Sequence, residues 1–230
     1  MAATFQAANG NFGVTVASGN TVAGTTSRDI QAGEKVVVVS FAKAGMGAVT
    51  GVTVGSLSLA LDKRFAPGQQ IEVWSADAGA FIATGATMTI TYTNVSTNVR
   101  YGKCFSLAGA GAVRGVPQTA NGVSANPSVI SDANPLTGDI AVAATMIASS
   151  TVPTVGAGYT IEGTTSDGTT GSSGAVEYNQ LVADGATTAG FNHASSTWSE
   201  VIVVWSAAAS GARGTQPIVS REAQRRASGW

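Results

Sequence analysis

The chain has 230 residues, of which 29 are glycine, 11% are charged and 44% are hydrophobic, with a formal net charge of −1 at pH 7. That hydrophobic share at low net charge excludes intrinsic disorder, and the lack of basic stripes interleaved with aromatics argues against a nucleic-acid partner. No uninterrupted run of 18 apolar residues occurs, so no membrane partner is expected, and the length suits one sizeable β-sandwich core.

In chain order, the opening segment MAATFQAANGNF has neither a basic n-region nor an apolar h-region, so no secretory leader is expected. Residues 1–30 read as an N-terminal arm carrying a first strand, FGVTVA, at 12–17. Period-2 alternation and β-branched content then predict strands at KVVVVSFAK (35–43), VTGVTVGSLSLAL (49–61, as two short strands or as one strand with a glycine bulge at Gly55), QIEVWSA (70–76), TMTITYT (87–93) and VRYGKCFSLA (99–108). The first of these is strongly apolar, as a central strand is. In the fourth, Met88, Ile90 and Tyr92 share one face and threonines the other. Residues 109–138 read as a long irregular stretch with one short strand, PSVI, at 127–130. Strands resume at 139–148, 158–165, 175–182 and 199–208, and a Gly/Ser/Thr-rich loop spans 165–174. A short helix is expected at 220–227.

This pattern predicts an all-β chain: a two-sheet antiparallel β-sandwich, jelly-roll-like, with extended N- and C-terminal arms. The expected layout is a single sandwich domain over 31–209 and a basic tail over 210–230. No short-period repeat is found. EVWSADA (72–78) and VVWSAAA (203–209) read as two similar strand ends, with Trp74 and Trp205 plugging the sandwich.

Chemistry-bearing residues are sparse. Cys104 is the single cysteine, which excludes an internal disulfide, and its apolar strand predicts a buried, inert thiol. His193, the single histidine, sits in the polar stretch GFNHASS and reads as a loop residue. Glu72, Glu162, Glu177 and Glu200 fall at strand positions and read as solvent-facing rather than as a catalytic pair. Asp132, Asp139, Asp167 and Asp184 offer hard oxygens for calcium but lack EF-hand spacing, and the Asp-Gly pairs at 167–168 and 184–185 are turn formers. No phosphate-cradling glycine motif opens a helix, so no cofactor and no metal is expected. Trp198, at a strand entrance, is the candidate glycan-stacking residue. Arg213, Arg221, Arg225 and Arg226 face only Glu222 within residues 213–230, and with the terminal Trp230 they form the candidate partner-binding set.

The segments GEKVVVV (33–39), VTGVTVG (49–55), GQQIEVW (68–74), TMTITYT (87–93), TGDIAVAA (137–144), AGYTIEG (157–163) and WSEVIVVW (198–205) follow one another in an order that resembles jelly-roll virion structural proteins of tailed bacteriophages. The likeness is to capsid decoration and fibre-type β-sandwich domains. It implies a non-enzymatic structural protein on the capsid or tail surface, made in the host cytoplasm, with no catalytic residues to carry over. Implied partners are other virion proteins, either the major capsid protein or tail and fibre subunits, in a homo-oligomer. The rival reading is a carbohydrate-binding, receptor-recognition module of a fibre or bacterial surface protein, with a glycan as its partner.

Overall fold

Runs of β-branched residues become strands, and in the N-terminal half these are β1 (Thr4–Phe5), β2 (Gly10–Phe12), β3 (Thr21–Thr25), β4 (Lys35–Ala42), β5 (Val49–Val54), β6 (Leu57–Ser58), β7 (Ala60–Phe65), β8 (Gln70–Asp77), β9 (Thr87–Tyr92) and β10 (Arg100–Ala108). The C-terminal half holds β11 (Ala110–Val113), β12 (Gln118–Ser124), β13 (Ser128–Ile130), β14 (Ile140–Ile147), β15 (Thr154–Val155), β16 (Thr160–Ser166), β17 (Ser173–Gln180), β18 (Thr188–Asn192) and β19 (Ser196–Ala207). The structure is a computed structural model that describes residues 2–6, 10–12, 19–43, 45, 47–95, 100–132, 134–166 and 171–209. Among them there is no helix.

The all-β sandwich expected from the alternation is what forms, with its strands distributed over four sheets. In the first half an inner sheet, β1-β10-β4-β8-β7 with β2 also on β10, covers an outer sheet, β3-β9-β5-β6. The second half repeats the scheme. Its inner sheet is β11-β19-β14-β17-β16, with β12 also on β19, and its outer sheet is β13-β18-β15. The chain crosses repeatedly between inner and outer sheets, as at β3–β4–β5 and β8–β9–β10 in the first half and β13–β14–β15 and β17–β18–β19 in the second, while neighbours such as β7–β8 and β16–β17 pair within one inner sheet. Residues 4–5 and 10–12 of the expected N-terminal arm are therefore edge strands on β10.

Three apolar cores follow from this layering. Val36, Val38 and Trp74 face Val52, Met88 and Ile90 within the first half. Ala141, Ala143 and Ile202 face Val129, Leu181 and Phe191 within the second. Between the two inner sheets, Val37, Val39, Phe41, Tyr101 and Phe105 meet Val142, Met146, Val203 and Trp205. Both faces of β4 are thus covered, which explains why KVVVVSFA is apolar without alternation. Phe5 stacks on Tyr178 across this middle interface at 4.1 Å, a contact worth about 1 kcal/mol beyond its buried area.

Equivalent positions in the halves can be read from the backbone. Gly33 N donates to Ala78 O while Ala78 N donates to Glu34 O; Gly138 N donates to Leu181 O while Leu181 N donates to Asp139 O. Both glycines hold positive φ, +86° and +91°, a conformation that favours glycine. Loops at the same place are latched with opposite polarity. Thr84 donates through N and Oγ1 to Asp29, and Thr137 donates through N and Oγ1 to Asp184.

Some local expectations are corrected. Of the two readings of 49–61, separate strands form and a bulge at Gly55 does not: Gly55, at φ +59°, turns the chain between β5 and β6, and the bulge lies instead between Val49 and Gly51. The irregular 109–138 stretch contains β11 and β12 in addition to the predicted short strand. Trp74 and Trp205 are both core residues, but in different cores and on strands that are not equivalent. Residues 13–17 of the expected first strand and the expected helix at 220–227 lie outside the described residues.

Candidate functional site

The four strand glutamates expected to face solvent are interior. Glu72, Glu177 and Glu200 are each 0% exposed, and the Glu162 side chain is 1% exposed. The physical reason is the layering: an inner sheet with a core on each side has no solvent face for alternation to present.

Glu72 is saturated. Its carboxylate accepts from Val49 N at 3.0 Å, Gln70 Nε2 at 2.6 Å and Trp74 Nε1 at 3.2 Å, and pairs with Arg64 Nε at 2.9 Å. Nearby, the Tyr92 hydroxyl pairs with Ser40 Oγ at 2.8 Å, and Arg100 lies over the Tyr92 ring at 4.2 Å. Burial pushes the Tyr92 phenol up to about 12.

Glu177 and Glu200 project from β17 and β19 on opposite sides of β14, toward the second half's own core. Gly156 N and Gly190 N donate to Glu177 at 3.1 and 3.2 Å. A Cβ on Gly156 would lie 1.8 Å from Gly190 O, so only glycine lets these two backbones close over the carboxylate. Burial nevertheless raises Glu177 to about 7. Neither oxygen of Glu200 has a hydrogen-bond partner. Burial first, and the Glu177 charge second, raise it to about 9. Tyr159 is pushed up to about 12, chiefly by burial, with both glutamates adding to the shift. Two carboxyls of unequal proton affinity have the chemistry of an acid and a base. Here they face a sealed core, and the walls of the surface pockets at Ser56–Leu57 with Ala78–Ile82 and at Asn179 with Leu181–Thr187 contain neither.

A further pair was not anticipated. Lys103 on β10 and Glu162 on β16 meet across the interface between the inner sheets, Nζ to Oε2 at 3.4 Å, with side chains 6% and 1% exposed. Glu162 is the extra residue of a bulge between Ile161 and Gly163, and a bulge re-aims its side chain. The first half has a counterpart in Asp62, the extra residue between Leu61 and Lys63. Burial raises the carboxyls of both Asp62 and Glu162. A lysine in the middle of the strand VRYGKCFSLA, next to Cys104 and Phe105, was the available sequence signal for this pair.

Other candidate residues take structural places. Cys104 is fully buried and burial pushes its thiol up, as expected of an inert cysteine. His193 lies in the loop before β19, its backbone N donating to Ala125 O at 2.9 Å. Trp198 is only 8% exposed, so the exposed indole the sequence suggests is corrected: Gly122 of β12 packs against the ring, and Nε1 donates to Ser124 Oγ at 2.9 Å. Asp132 caps Val116 N, Asp139 pairs with Arg114 and accepts from Leu136 N and Ala207 N, and Asp184 latches Thr137. Asp167, Arg213, Arg221, Arg225, Arg226 and Trp230 lie outside the described residues. Among the described residues, no three His, Cys, Asp or Glu side chains gather as a metal site, and no helix is long and apolar enough to cross a membrane.

No protein-family model and no curated protein sequence matches the chain. Among solved structures, the crystal structure of the major capsid protein P2 from bacteriophage PM2 aligns over 88% of this chain and 96% of that one, at 10% identity and a TM-score of 0.27. A likeness of that size carries no argument about fold or activity.

Proposed function

We propose that the chain is a non-enzymatic structural protein of a tailed-bacteriophage virion, a capsid decoration or surface-appendage subunit that binds neighbouring subunits through its terminal segments. The observation that carries this reading is how the interior is spent. Glu72, Glu162 and Asp139 are consumed in ion pairs, and Glu177 and Glu200 close a core. Such an interior serves rigidity. The segments that resemble phage jelly-roll proteins fall on β4, β5, β8, β9, β14, β16 and β19 in order, which supports the same reading.

On this reading Arg213, Arg221, Arg225 and Arg226 meet acidic or carbonyl-rich surfaces of a neighbour, and Trp230 fills a pocket. Repeated copies then turn weak contacts into avidity. Light scattering on the full chain and on a form ending at Ser210 tests this. A discrete oligomer that falls to monomer on truncation is the expected result. Monomers in both forms would overturn tail-mediated assembly and favour a recognition module.

A further inference from the structure

We propose that Lys103 and Glu162 are a site of covalent modification, condensing to an amide that cross-links the two sandwiches. Three features of the fold converge on this pair. The bulge between Ile161 and Gly163 takes Glu162 out of the ordinary pleat and turns it toward the opposite sheet. Gly163 leaves the space that the lysine head occupies, since a Cβ there would lie 2.0 Å from Lys103 Nζ. Both side chains are almost wholly buried, with Nζ 3.4 Å from Oε2, at an interface lined by Val39, Tyr101 and Phe105.

Burying two full charges in such a setting is costly even when they are paired, and neither Glu162 oxygen has a hydrogen-bond partner. Converting the pair to a neutral amide removes that cost. The reaction needs no oxidant or co-reactant. One ammonium proton passes to the carboxylate, which burial already favours in its neutral form. The free amine attacks Cδ, the C–N bond forms and the C–Oε2 bond breaks. The oxygen departs as water with a second amine proton, leaving one hydrogen on the amide nitrogen. Fixed proximity replaces the bimolecular encounter that makes this step slow in solution.

Intact-mass spectrometry of the purified full chain reads the outcome directly. The expected mass is one water below that of the sequence, and digestion yields a branched peptide joining the Lys103 and Glu162 segments. Lys103→Arg abolishes both signals. Glu162→Gln keeps the shape and still gives the same branched peptide, now with loss of ammonia. A wild-type mass equal to the sequence mass, with no branched peptide, overturns the proposal and leaves the pair a salt bridge.

Discussion

Glu200 sets the most specific expectation at the scale of single residues. Its folded value, about 9, lies above the ordinary 4.5, so the fold binds this proton more tightly than the unfolded chain does. The stability it contributes is fully present below about pH 4.5 and is lost as pH rises toward 9. Glu177 acts in the same direction between 4.5 and about 7. Each group then lowers stability by about 1.4 kcal/mol per pH unit inside its window. The exposed Asp29 and Asp184, lowered by hydrogen bonds from Thr84 and Thr137 respectively, act oppositely and only in acid. Urea midpoints are therefore expected to fall between pH 5 and pH 8, and Glu200→Gln to flatten that fall. A wild-type midpoint that rises with pH over this interval contradicts the burial of Glu200. None of this was legible in the sequence, because a glutamate in a strand looks the same whether its face meets water or a second sheet.

At the scale of elements, the paired bulges separate a carboxylate with an ion-pair partner across the interface from one that has only the Ser75 hydroxyl beside it. Glu162 has Lys103. In the other half β19 places Val201 opposite Ala144, where β10 places Lys103 opposite Val39, and Asp62 Oδ2 is buried without a hydrogen-bond partner. Lys103→Met strands the Glu162 charge and is expected to destabilise by about 3–5 kcal/mol. Asp62→Asn removes a charge that burial disfavours and is expected to leave stability unchanged or raise it at pH 7. Chemical denaturation of both variants checks this, and equal losses would contradict it. Strands with apolar cores behind them, such as β4, β9 and β10, were legible from residue pattern alone. The edge strand β7 was not, because Asp62, Lys63 and Arg64 hide its alternation under charges that protect an open sheet edge. Polar β12 and short β18 escaped for related reasons.

The described residues form two sandwiches built alike, and that repeat left marks in the sequence at a spacing of about 100 residues, well beyond the short periods at which repeats are usual. Ala-Thr-Gly-Ala-Thr at 83–87 answers Ala-Asp-Gly-Ala-Thr at 183–187, and Gly33-Glu34 answers Gly138-Asp139. The more conspicuous Val-Trp-Ser-Ala echo misleads, since it joins β8 to β19, which occupy different places in their sheets.

We propose that residues 31–209 behave as one domain rather than two, because the middle core is built from both inner sheets and neither half can bury Phe41, Phe105, Val203 or Trp205 alone. Differential scanning calorimetry of the full chain tests that claim most directly. The expected result is one transition whose calorimetric and van't Hoff enthalpies agree. Two separable transitions would mean that each sandwich folds on its own, and would contradict a single structural body.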